Sequence, residues 1–247
     1  MNSNVKLLLA GLCFACAPAF AALTFVTTPA GLGSNDSTNW GQLGEDQTVL
    51  SGGFTATSAL SVGVTGSFSA ADNTGLVADV CLDGDGSCTW GPTAGGMQPG
   101  DTDIFAFDNG TSLGTGPITL AFGTALIGGG AWIQGDTAGV YTAQIQAFNG
   151  GTSLGSFTST SDASGDPIFI GVLQSPSVAN ITSIVFSLTS CAGCSNLGDF
   201  AIDTLLMTDQ TSTSSTPEPS SVALLGTGLA GMAWMLRKRS LKNDRRS

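Results

Sequence analysis

The chain has 247 residues, of which 10% are charged and 35 are glycine, and its formal net charge is −11. Every cation lies near an end, at Lys6, Arg237, Lys238, Arg239, Lys242, Arg245 and Arg246, so the stretch between Lys6 and Arg237 holds 17 of the 18 acids and no Lys, Arg or His. A body without cations cannot neutralise phosphates, which excludes nucleic acid as its partner.

In chain order, Lys6 precedes an apolar stretch of about eleven residues, Leu7 to Ala17, and then the small-x-small triplet Ala19-Phe20-Ala21. This is the layout of a secretory signal peptide, with cleavage expected after Ala21. The run is too short for a spanning helix, which needs about twenty apolar residues. Leu12 before Cys13, and Cys13 itself three residues before Cys16, do not suit lipoprotein processing. Residues 1–21 are therefore read as the signal and residues 22–209 as one domain.

Within that domain short alternating segments follow one another, separated by Gly, Asn, Asp and Ser. "LTFVTT", "TVLSGGFTAT", "LSVGVTGSFSA", "GLVADVCL", "DIFAFDN", "PITLAFGTALI", "AWIQ", "VYTAQIQAF", "SLGSFTST", "PIFIGVL", "ITSIVFSLT" and "DFAIDTLLM" each read as a strand. Alternation places Tyr141, Ala143, Ile145 and Ala147 on one face, and it separates Phe200 and Ile202 from Ala201 and Asp203. No stretch sustains a 3.6-residue period. The fold class expected is all-β, an antiparallel, jelly-roll-like β-sandwich of two sheets.

Four cysteines remain after signal removal: Cys81, Cys88, Cys191 and Cys194. Four thiols allow three connectivities, and proximity along the chain favours Cys81 with Cys88 and Cys191 with Cys194. An oxidising destination favours disulfides, whereas zinc is disfavoured by the absence of His and by the spacing of Cys81 and Cys88. Between that first pair, Asp83, Asp85 and Ser87 alternate with glycine like the opening of a calcium loop, yet Cys88 and Ala94 stand where an EF-hand has its turn glycine and bidentate Glu. An exposed acidic turn is the plainer reading, with calcium at its tip the alternative. No cofactor is otherwise implied. Asp101 and Asp103, with Asp199 and Asp203, form a second set of carboxylates that repel unless a cation or proton intervenes. Trp40, Trp90 and Trp132 are candidates to stack on sugar rings if they reach the surface.

Enzymatic readings find little support. A Ser or Cys nucleophile has no His or Lys to act as base, and no side-chain cation can clamp an oxyanion or phosphate. A two-carboxylate glycosidase is chemically allowed, though Glu45 is the one Glu before the tail. The sequence is read as non-enzymatic, with a structural role expected and a glycan-binding module, calcium-dependent or not, as the alternative.

Residues 210–219 form a Ser/Thr-rich tether that ends in Pro217-Glu218-Pro219. From Ser220 to Leu236 there are 17 residues without a charge, at the short edge of what crosses a bilayer, followed by Arg237, Lys238 and Arg239. Residues 220–247 are read as a single C-terminal transmembrane helix with a basic tail that stays in the cytoplasm. The anionic body would then lie outside the inner membrane.

The Pro-Glu-Pro triplet, the apolar helix and the basic terminus, in that order over residues 216–240, resemble the PEP-CTERM sorting signal of Gram-negative bacteria that make exopolysaccharide. That resemblance implies an inner-membrane protease-transpeptidase, exosortase, as the processing partner. It also implies a transiently anchored intermediate and a final place at the cell surface or in the extracellular matrix, where exopolysaccharide is a further candidate partner. "STNWGQLG", "GPITLAFG", "GAWIQ" and "FAIDTLLM" are similar to a body domain carried by such proteins, some of whose jelly-roll modules bind glycans or structural calcium.

Overall fold

The computed structural model describes residues 22–69, 74–79, 97, 101–107, 114–175, 177–194 and 196–210. The chain divides into two compact units, Met1–Asp209 and Gln210–Ser247. The described residues belong to the first unit, apart from Gln210. The predicted signal, the Ser/Thr tether beyond it and the predicted transmembrane helix all lie outside the described residues. Among the described residues no helix is long and apolar enough to cross a membrane.

The described residues of the first unit form two antiparallel sheets. Its strands are β1 (Ala22–Val26), β2 (Asp36–Thr38), β3 (Val49–Ser51), β4 (Phe54–Thr57), β5 (Gly63–Phe68), β6 (Thr74–Asp79), β7 (Thr102–Ala106) and β8 (Ile118–Leu126). They continue with β9 (Gly128–Gly135), β10 (Tyr141–Asn149), β11 (Thr152–Thr160), β12 (Ile168–Ser175), β13 (Ile181–Cys191), β14 (Phe200–Ile202) and β15 (Leu205–Thr208). A one-turn helix α1 (Pro29–Leu32) starts on the Thr28 hydroxyl, which accepts from Gly31 N, and it has Pro29 in its first turn. A 3₁₀ turn spans Trp40–Leu43.

The larger sheet has nine strands, ordered β1-β12-β9-β14-β7-β6-β3, with β15 paired to both β9 and β2. The smaller sheet has six, ordered β11-β10-β13-β8-β5-β4. Two packed antiparallel sheets agree with the expected fold class.

Two predicted strands are in fact pairs. "TVLSGGFTAT" divides at Gly52 (φ 77°) and Gly53 (φ 85°), so that β3 lies in the larger sheet and β4 in the smaller. Left-handed backbone at two successive positions is accessible to glycine at little cost, and here it turns the chain through a corner between the sheets. "DFAIDTLLM" divides at Asp203-Thr204. One flank of β9 is bonded along its length by β12, whereas the other is shared, β14 covering Ile133–Gly135 and β15 covering Gly128–Gly130. From that fork β14 leads on to β7, and β15 to β2.

The core fills the space between the sheets. Tyr141, Ala143, Ile145 and Ala147 of β10 point into it as alternation requires, opposite Ile104, Ile133, Phe200 and Ile202 of the larger sheet. Phe54 lies across its β4–β5 register partner Gly66, where a Cβ would stand 1.9 Å from the ring. Tyr141 is fully buried, and its hydroxyl lies 2.7 Å from the Ile133 carbonyl and 2.9 Å from that of Asp166. Burial raises the phenol well above its ordinary range.

Candidate functional site

The outer side of the larger sheet carries the most unusual chemistry among the described residues. In β7, Ile104 and Ala106 enter the core, which turns Asp103 and Phe105 to the other face. In β14, Phe200 and Ile202 enter the core, while Ala201 joins Phe105, Trp132 and Met97 in a second apolar cluster outside it. The β7–β14 register, Ile202 opposite Ile104, then brings Asp203 beside Asp103. Asp103 is fully buried and Asp203 is 5% exposed.

The two side chains therefore lie next to each other on paired strands, both in buried positions. Burial is the main cause that raises the Asp203 pKa above the ordinary carboxyl value, and the nearby charge of Asp101 adds to it. The Thr204 N–H, which donates to Asp203 Oδ1, acts in the opposite direction. Three of the four acids expected to cluster are therefore brought together. Asp199 is not among them, since it lies at the opposite end of β14, where its carbonyl accepts from Asp136 N at 3.2 Å.

The fork itself is held by backbone and indole groups. Asp203 N donates to the Trp132 carbonyl at 3.1 Å, and Trp40 Nε1 donates to the Asp203 carbonyl at 3.0 Å. Trp40 is fully buried in the main core with its ring edge toward Phe54, which corrects the expectation that it could stack on a sugar. Trp132 is half-buried and meets Phe169 edge-on at 5.8 Å. Trp90 lies outside the described residues.

Asp36 was not singled out by the sequence, where it reads as one polar residue in a loop. It is 5% exposed, and its carboxylate is saturated with donors. Oδ1 accepts from Ser37 N at 2.8 Å and Leu60 N at 2.9 Å, while Oδ2 accepts from the Ser58 hydroxyl. Ser58 Oγ in turn accepts from Val62 N at 2.9 Å. One carboxylate thus ties β2 of the larger sheet to the β4–β5 turn of the smaller.

Cys191 and Cys194 form a disulfide with their Cα atoms 5.5 Å apart, as their proximity suggested. Cys81 and Cys88, and the tentative calcium ligands Asp83, Asp85 and Ser87 between them, lie outside the described residues. Among the described residues no group of three or more His, Cys, Asp or Glu side chains is placed to hold a metal ion.

Fold and cysteine chemistry together define a disulfide-bonded, two-sheet antiparallel β protein followed by a separate C-terminal segment. That segment is identified by comparison: residues 215–239 match the family described as the PEP-CTERM protein-sorting motif. The chain therefore carries the mark of an exosortase substrate, and the motif includes Pro217, Glu218, Pro219, Arg237, Lys238 and Arg239. It implies export, a membrane-anchored sorting intermediate and exosortase as the processing enzyme. No curated protein matches the chain. Among solved structures, a DUF4465 family protein from Bacteroides caccae aligns with a TM-score of 0.42 and 11% sequence identity, over 70% of this chain and 99% of that one.

Proposed function

We propose that this chain is an exported structural protein of the cell surface or exopolysaccharide matrix. Its β-sandwich is held briefly at the inner membrane by the C-terminal segment and released by exosortase. The match at residues 215–239 carries the reading. The partition of charge supports it, with the cations confined to the two ends that would face the cytoplasm. A non-enzymatic role is consistent with the burial of Asp103 and Asp203, whose carboxyl groups no substrate reaches without opening the sheet. Mass spectrometry of the native extracellular protein tests the whole proposal. The expected species begins at Ala22, ends near Pro219 and has all four remaining cysteines oxidised; a secreted chain that still carries Arg245 and Arg246 would overturn the processing step.

Glycan binding is a second reading, favoured by the outer side of the smaller sheet. Thr142, Gln144, Gln146, Ser187 and Thr119 lie there at one or two strand spacings from one another, and no strand of this sheet contains a charged residue. Such a face offers hydroxyl and amide groups to a hydroxylated polymer without repelling it. Exopolysaccharide pull-down by the mature protein, weakened by Gln144→Lys without a change in melting temperature, is the outcome this reading expects.

A further inference from the structure

The two sheets end together on one side of the sandwich. There, among the described residues, β11 pairs with β10 alone and β1 pairs with β12 alone. The opposite ends, β3 and β4, are joined covalently through the Gly52-Gly53 corner. Between the two open edges runs an apolar strip. Phe25 and Phe157 stack at 5.3 Å with 14° between their planes, and Leu23 and Leu154 pack beside them. All four remain half-buried, so the sandwich does not finish covering them by itself.

Exposed edge strands are normally protected by charge, by proline or by being very short. β11 runs for nine residues, TSLGSFTST, with neither a charge nor a proline. A bulge at Leu154, between the pairs Ala147–Gly155 and Phe148–Ser153, interrupts its start, and from Ser156 to Thr160 the pairing is regular. The edge lies in a run without any charge, residues 137–161, and β1 lies in another, residues 22–35.

We propose that this seam is a self-association surface, on which β11 pairs antiparallel with β11 of a second copy of the same chain. Charge selects the occupant. Apart from Glu218 and the termini, the body holds sixteen acids and no cation, so two copies repel wherever their acidic loops meet. At the β11 seam each copy presents a strand without charge. The nearest acid in sequence beyond β11, Asp162, is six residues from Ser156, roughly 20 Å along an extended strand. That exceeds the screening length of about 8 Å at physiological ionic strength, and a twofold axis would carry the two Asp162 side chains to opposite ends of the pair. Pairing of this kind satisfies the open backbone groups of both edges and joins the two six-stranded sheets. It also covers Leu154 and Phe157 of each copy with the same residues of the other.

The test uses the full chain in detergent, with mass measured by light scattering and contact by oxidative cross-linking of Ser156→Cys. The wild type is expected as a dimer and Ser156→Cys as a covalent dimer on a non-reducing gel. Thr158→Lys and Thr158→Asp, which place either sign of charge on the exposed edge, should reduce dimer formation at least tenfold while the circular dichroism spectrum is kept. Thr65→Lys, on the exposed face of β5 far from the seam, should leave the dimer intact. A monomeric wild type, a dimer that survives both Thr158 variants, or one lost in Thr65→Lys alone overturns the proposal. So does a wild-type dimer whose Ser156→Cys variant forms no cross-link beyond the wild-type background.

Discussion

The indole Nε1 of Trp40 donates a hydrogen bond to the main-chain carbonyl of Asp203 at 3.0 Å, across 163 residues of sequence. That carbonyl belongs to the two-residue break between β14 and β15, where the larger sheet forks. The break cannot satisfy all its backbone groups by strand pairing, and a buried carbonyl left without a donor is costly. Trp40 supplies the donor and fills the space under the fork with its ring.

Replacement of Trp40 by Phe keeps an aromatic ring but removes the donor. About 1–3 kcal/mol of stability should be lost from the orphaned carbonyl, and Trp40→Ala should lose about 3–5 kcal/mol through the cavity it leaves. Urea denaturation followed by tryptophan fluorescence and circular dichroism checks both values. A midpoint that does not move in Trp40→Phe would mean that the carbonyl finds water.

Asp203→Asn tests the proton that burial holds on Asp203. Because the Asp203 pKa is raised in the folded state, the folded chain keeps this proton at pH values where the unfolded chain has released it. The group's contribution to stability is therefore greatest below its unfolded value of about 3.9 and is lost as pH rises through the folded value. The asparagine variant does not titrate. It should be the more stable form at pH 7, and its advantage should shrink as pH is lowered toward 4. Melting temperatures across pH 4 to 8 provide the measurement; a pH-independent difference would show that folding does not raise the Asp203 pKa.

Asp36→Ala removes the acceptor of three donors between β2 and the β4–β5 turn, of which the Ser58 hydroxyl is buried. A loss of about 1–3 kcal/mol is expected, since the buried Ser58 hydroxyl is left without its acceptor. Asp36→Asn should recover part of it, because one amide oxygen can still accept. Hydrogen exchange should place the new opening at Ser58 to Val62 and leave β10 and β13 protected.

The Cys191–Cys194 bridge closes a loop of four residues at the end of β13. Chain-entropy reasoning assigns so short a loop about 2 kcal/mol. A Cys191→Ala, Cys194→Ala double variant should lose about that much in chemical denaturation while keeping the wild-type far-ultraviolet spectrum. Loss of the fold altogether would give the bridge a larger part than the core suggests.

Much of the architecture was legible because a strand's periodicity is local. The alternation of Tyr141, Ala143, Ile145 and Ala147 marks a buried face without reference to any other strand, and the same holds for Phe200 and Ile202. The breaks at Gly52-Gly53 and Asp203-Thr204 were read through because an apolar alternation on both sides of a break looks continuous when the partner strands are unknown. Trp40 could not be placed from its neighbours, since a 3₁₀ turn has no strand period, and Asp36 looked like any polar loop residue.

The sequence by itself determined where charge could lie, how the C-terminal segment is marked for sorting, and that alternating segments must build sheets, because each of these is a property of composition or of neighbouring residues. Tertiary structure alone decided that Asp103 meets Asp203 and that Asp199 does not. It also decided that Trp40 is buried under the fork and that β1 and β11, among the described residues, are edge strands side by side. Those outcomes depend on strand order and register between segments tens to more than a hundred residues apart, where a shift of one residue would turn every side chain to the opposite face.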